Sequence, residues 1–168
     1  MTLTAATGRT QAIGAALTGI GMAVTVGTAL GFQHLGGYIP CKLCLEQRIP
    51  YYIGIPVMAL ALASSLLKLP PLVTRGLLLI GAALMVWSVW LGAFHSGVEW
   101  GWWAGPTDCG AVAPFQGSGS LLDQLNLVVP PSCDTAAGRF LGLSFAGWNV
   151  VASLALALIA SVAALRRA

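Results

Sequence analysis

Four cysteines are the residues of this 168-residue chain best suited to covalent chemistry. Cys41-Lys42-Leu43-Cys44 is a C-x-x-C motif, and Cys109 and Cys133 stand 24 positions apart in a stretch rich in Gly, Pro and Ser. Paired thiols exchange electrons when a thiolate attacks a disulfide through a mixed-disulfide intermediate. Bridging Cys41 to Cys44 closes so short a ring that it adds little stability and is easily reduced, which favours a redox pair over a staple. Two other readings stay open at this point: inert structural disulfides, and a zinc site of all four cysteines with tetrahedral geometry. Haem attachment needs a His directly after the second Cys, where this chain has Leu45. Arg48 follows Cys44 by four residues, so helical spacing puts both on one face. A nearby guanidinium and a helix N-terminus both favour thiolate. The plainer role for Arg48 is a snorkelling anchor at a membrane helix end.

The elements that must hold these residues follow from composition. The chain is 57% hydrophobic and 8% charged, with a mean hydropathy of +0.84. A soluble domain of this size has no way to bury that much apolar surface, so the class is an all-α, polytopic membrane protein. Uncharged runs predict four transmembrane helices over about 13–32, 49–67, 76–94 and 145–165, in a single membrane domain spanning 1–168. Each run can cross a hydrocarbon core about 30 Å thick at about 1.5 Å per residue. Backbone groups in lipid must be satisfied within the segment, which requires helices. The first run is long for a signal-peptide core and lacks an A-x-A site before Gln33, so it is read as a retained span. A net charge of +3, with Arg166-Arg167 the only basic run, gives no nucleic-acid surface.

Four spans put both termini on one side. That side carries Arg9, Lys68, Arg75, Arg166 and Arg167 and no acid, whereas the other carries Lys42, Arg48 and Arg139 with all five acids. The bias of five basic residues against three places the termini in the cytoplasm. The outer loops are then 33–48 and 95–144, and all four cysteines face outward, two per loop. Outside the bacterial cytoplasm such thiols tend to be oxidised. A loop as long as 95–144 is usually functional. Within it Ser120–Val129 has an apolar face of Leu121, Leu122 and Leu125, which predicts a short amphipathic helix on the membrane surface. Tyr38, Tyr51, Trp87, Trp90, Trp100 and Trp148 gather toward the outer half, as interface anchors or around a flat aromatic ligand.

With these motifs in view, the chain resembles the bacterial disulfide bond formation protein B (DsbB) family over nearly its whole length. The likeness runs through Phe32-Gln33-His34, Pro40-Cys41-x-x-Cys44-x-x-x-Arg48, His95 with the aromatic stretch to Cys109, Cys133, and Phe140-Leu141-Gly142-Leu143 leading to Trp148. The resemblance implies a protein-disulfide oxidoreductase of the bacterial inner membrane with its cysteines facing the periplasm. It implies a reduced, periplasmic, thioredoxin-fold partner of the DsbA type, which attacks a Cys109–Cys133 disulfide at Cys109. Cys133 then passes the electrons to Cys41, and Cys44 is released as a thiolate beside a membrane quinone, ubiquinone or menaquinone, and reduces it. Arg48 and His95 are implied as quinone-site residues. The chain departs from the family pattern at Glu46-Gln47-Arg48, where Gln47 stands in place of an acid, and in the sequence between Cys109 and Cys133. The competing functions are a reductase of the vitamin K epoxide reductase type, whose C-x-x-C opens the last helix instead of the second, and a non-enzymatic membrane scaffold.

Overall fold

The computed structural model describes residues 6–106 and 132–166. Its long helices are α1 (Arg9–His34), α3 (Ile49–Leu66), α4 (Pro71–Glu99) and α5 (Phe145–Leu165), with a short helix α2 (Lys42–Glu46) ahead of α3. α2 and α3 together make one apolar stretch, and the four resulting segments are each long and apolar enough to cross a membrane. Cys109 and the expected amphipathic helix over 120–129 lie outside the described residues.

The bundle is turned inside out relative to a soluble one. Ile20, Val24, Leu60, Trp90 and Leu158 point outward, where lipid tails would meet them. The interior holds small or flexible side chains: Ala15, Ala61, Ala160 and Ala164 with Met22, Met58 and Met85. In lipid, helices associate through close packing of small residues and interhelical hydrogen bonds. Gly14 shows how close: a Cβ there would sit 2.2 Å from Cβ of Ala163, so α1 and α5 touch backbone to side chain. Ser88, Asn149 and Ser153 supply polar contacts between α4 and α5, with Asn149 Nδ2 donating to Ser88 Oγ at 3.2 Å.

α4 extends past the expected 76–94 at both ends. Pro71 opens it at a position where a missing N–H costs nothing. Arg75, read from the sequence as an inner-side charge just ahead of the third span, is instead 1% exposed inside the helix. Its guanidinium donates to the carbonyls of Ala164 and Ala6, the latter at 3.3 Å. Gln11 Nε2 adds donors to Ala163 O at 3.1 Å and Arg166 O at 2.9 Å. The last carbonyls of α5 have no partner within their own helix, so these side chains satisfy them and set a cation at the negative end of its dipole. At the other end α4 runs on to Glu99, one turn into the expected loop. Charge ended the apolar run in the sequence but does not end the helix, because His95 and Glu99 are buried against each other.

The family-like segment Phe140–Leu143 is a hairpin, not plain loop. β1 (Arg139–Phe140) pairs antiparallel with β2 (Leu143–Ser144), in the register Arg139 to Ser144 and Phe140 to Leu143. The two turn residues, Leu141 (φ 50°) and Gly142 (φ 84°), are both left-handed, as a two-residue hairpin turn needs. Ser144 then caps α5, its hydroxyl accepting from Gly147 N at 3.2 Å. Trp148 Nε1 donates to Phe140 O at 2.9 Å and ties the hairpin down to the helix.

Candidate active site

The C-x-x-C motif opens α2. Cys41 is its N-cap, with Sγ accepting from Cys44 N at 3.3 Å. α2 is only five residues long, so this single backbone N–H, more than a macrodipole, meets the sulfur. The two sulfurs are not joined and stand 2.8 Å apart. Closing them to a disulfide bond length of about 2.05 Å needs a shift of under an ångström. His95 Nε2 lies 3.7 Å from Cys41 Sγ. The hydrogen bond shared with Cys44, aided by His95 and against the cost of burial, holds the Cys41 thiol well below its ordinary range. The sequence pointed to Cys44 as the sulfur favoured as thiolate. Here the backbone donor and the imidazole both serve Cys41, because Cys41 occupies the capping position.

The sulfurs face different neighbours. Cys44 lines an apolar cavity of about 340 Å³ between α1, α3 and α5, with Phe32, Gln33, Arg48, Tyr51, Phe145 and Asn149 among its walls. Its positions fall at helical spacing on each wall: 25, 28, 29 and 32 on α1, and 145, 148, 149 and 152 on α5. Arg48 is fixed by donating to Gln33 Oε1, and Tyr51 OH donates to Asn149 Oδ1 at 2.7 Å. That size falls within the range of small-molecule pockets, about 300–1,000 Å³, and so does the pattern of apolar walls with a few polar groups.

Cys41 does not line that cavity. It is 5% exposed and shares a buried cluster with Leu43, Val98 and Cys133, against which Cys44 and Phe94 also pack; Cys133 is itself 2% exposed and disulfide-bonded. The structure thus brings one loop cysteine against the helix-end pair. A four-cysteine zinc set is not assembled, since Cys133 is held in a disulfide. Cys41, Cys44 and His95 offer three ligand atoms within 4.8 Å of one another. Two thiolates on one tetrahedral zinc keep about 3.7 Å between them, given Zn–S near 2.3 Å, which is wider than this pair.

His95 lies beside Cys41 and Glu99 and is absent from the walls of the large cavity. Gln47, set aside in the sequence, is 6% exposed and its Nε2 lies 2.7 Å from His95 Nδ1. Glu99 was read only as the charge that ends the third apolar run. The signal that could have found it is its spacing: His95 and Glu99 are i and i+4, the one pair of titratable residues a helical turn apart at the end of that apolar run.

A bundle of four helices long and apolar enough to cross a membrane, carrying a buried and a half-buried thiol side by side at one end, defines a membrane thiol–disulfide protein. The sequence profile of the family described as disulfide bond formation protein DsbB matches residues 11–163, and the chain belongs to that family of membrane disulfide-bond formation proteins. It is 28% identical over 153 residues to disulfide bond formation protein B of Polaromonas sp. strain JS666, covering 88% of this chain and 86% of that protein. No solved structure matches.

Proposed function

We propose that the chain is a thiol oxidase linked to a membrane quinone, which reoxidises a reduced thioredoxin-fold disulfide donor of the DsbA type on the periplasmic side of the bacterial inner membrane. The observation that carries this reading is the division of the sulfur pair, with Cys41 packed in a cluster with Cys133 and Cys44 on the Arg48 cavity. Both sulfurs adjoin the Cys133 cluster, and only Cys44 also lines the large cavity, so the pair spans the two exchange partners that an electron relay needs.

In this reading Cys109 and Cys133 form the loop disulfide, and the donor's thiolate attacks it at Cys109. The burial of Cys133 supports that direction, since a protein thiol has no approach to a sulfur 2% exposed. The freed Cys133 sulfur attacks Cys41 across their shared cluster. The Cys41–Cys44 bond breaks, and two electrons arrive on Cys44 at the cavity wall. A quinone bound there, ubiquinone or menaquinone, supplies a two-electron, two-proton acceptor. Arg48, held by Gln33, keeps a positive charge next to the sulfur where negative charge develops. Tyr51 and Asn149 offer hydrogen-bonding groups deeper in the cavity, and Phe32, Phe145 and Trp148 give flat apolar walls.

The test is quinone reduction by the purified chain with a reduced thioredoxin-fold donor. Cys44→Ser and Arg48→Ala are each expected to abolish it. Normal turnover in either variant would overturn the reading.

A further inference from the structure

Gln47 and His95 hold each other in one protonation pattern. Gln47 Nε2 lies 3.4 Å from Leu43 O and 2.7 Å from His95 Nδ1, so the amide nitrogen donates one hydrogen to the carbonyl and the other to the ring. Nδ1 therefore accepts, and the ring hydrogen sits on Nε2. That N–H faces Cys41 Sγ at 3.7 Å and Glu99 Oε1 at 3.8 Å. An imidazole held this way is a donor on one side and already occupied on the other. It stabilises a thiolate but has no lone pair left to take a thiol's proton.

The base left in the pocket is Glu99. Its side chain is 4% exposed, and Oε2 is buried with no hydrogen-bond partner among the described residues. A buried carboxylate oxygen without a partner is costly and asks for a reason. Both sulfurs, His95, Glu99, Ser132 and Thr135 line a small cavity of about 20 Å³. That is room for about one water molecule, and its walls carry the two or more polar partners that a buried water needs.

We propose that Glu99 is the proton acceptor of the Cys41–Cys44 pair, reached through a single water in this cavity, with Gln47 positioning His95 as a fixed donor. The proposal rests on the reading that the pair is redox-active. Closing the pair from Cys41–S⁻ and Cys44–SH to a disulfide releases two electrons and one proton. The electrons go to the oxidant, the quinone in the reading above. The proton goes to Glu99: Cys44–SH and Glu99–COO⁻ become Cys44–S⁻ and Glu99–COOH, with no electron moved. Glu99 then hands the proton to bulk water on the loop side. The titratable groups facing the cavity are Cys41, Cys44, His95 and Glu99. Asp134 on the adjoining loop is exposed, and Arg48 belongs to the large cavity.

The test uses the full chain in detergent with Cys109→Ser and Cys133→Ser, so that only the helix-end pair reacts, and 4,4′-dithiodipyridine as oxidant. The first phase of thiopyridone release is attack by the first thiolate, and the second is closure of the disulfide. Glu99→Gln is expected to slow the second phase on the order of 10²-fold, the scale of general-base assistance. The pH midpoint for alkylation of Cys41 is expected to stay or move down, because removing a neighbouring carboxylate favours the thiolate. In Glu99→Ala, formate is expected to restore the second phase. A second phase at the normal rate overturns the proposal. So does a slow phase accompanied by a midpoint moving up, which marks a collapsed pocket, or an absence of rescue by formate. No quinone is present, so failure here leaves the quinone reading standing, and failure of quinone reduction leaves this measurement intact.

Discussion

Cys41 owes its acidity to neighbours that the C-x-x-C spacing alone does not guarantee. The spacing placed the motif at a helix start, but the reading gave the benefit to Cys44, whereas the residue ahead of the helix, Cys41, is the one that accepts from the backbone two or three positions on. The imidazole was not legible as its partner, because His95 is 54 residues away and the sequence gives no depth for either group. The same holds for Gln47, whose value lies in a contact 48 positions along the chain. A testable consequence follows from the direction of the shift. Cys41 lies below the ordinary thiol value of 9.0, chiefly through the hydrogen bond from Cys44. Its ionisation therefore stabilises the reduced, folded chain fully above the unfolded value, and that contribution is lost as pH falls through the folded value. Iodoacetamide is expected to modify Cys41 at pH 6 at least about tenfold faster than an ordinary thiol, which is under about 1% ionised there. Cys44→Ala should move the midpoint upward. A midpoint near 9 in the unaltered chain would show that the cap and the imidazole do nothing for this sulfur.

Helices were the most legible level, since uncharged runs in a lipid-soluble chain permit little else. Their ends were less so. Arg75 and Glu99 broke the apolar runs and were read as the limits of a span, yet both lie inside α4. Each is matched by a partner from far along the chain or one turn away: the Ala164 carbonyl for Arg75, His95 for Glu99. The hairpin at 139–144 was missed because its turn is Leu141-Gly142, with a leucine at positive φ where Asn or Asp is usual. Close approach of helices was hidden too, since a glycine in a span reads the same whether it faces lipid or a neighbour. Gly14 and Gly27 separate the cases within α1. A Cβ at Gly14 meets Ala163 at 2.2 Å, whereas one at Gly27 meets nothing within 4 Å. Gly14→Ala is expected to destabilise the bundle by about 1–3 kcal/mol through overpacking. Gly27→Ala should raise stability slightly, by up to about 1 kcal/mol from backbone entropy. Unfolding in a denaturing detergent checks both. Equal effects at the two positions would mean that α1 and α5 do not approach as described.

At the scale of the whole molecule, the cysteine end and the Arg75 end differ in what they ask of their surroundings. The Arg75 end is closed, its buried guanidinium and Gln11 spent on the carbonyls of α5. That burial removes Arg75 from the loop charges that orient a membrane protein. Arg9, Lys68, Arg166 and Arg167 then stand against Lys42, Arg48 and Arg139, four against three, and the last of these sits on a hairpin. The charge bias is thin, so orientation has to be argued from chemistry as well. A reduced-to-disulfide cycle needs an oxidising compartment at the Cys41 end, and Trp100, Trp102 and Trp103 form a belt at that same end, where amphipathic rings settle at an interface. Under the proposed function the first argument sends α4 outward at Glu99 and inward at Pro71, while the tryptophans mark that end as lying at an interface, which either side of a membrane provides. Leu141, in the hairpin, and Lys68, in the turn between α3 and α4, are both exposed enough for an introduced cysteine to be labelled. In intact cells, with the native cysteines replaced by serine, a membrane-impermeant maleimide is expected to modify Leu141→Cys and to reach Lys68→Cys only after the membrane is opened. The reverse pattern would put the sulfur pair in the reducing cytosol, where a thiol oxidase has no partner to serve.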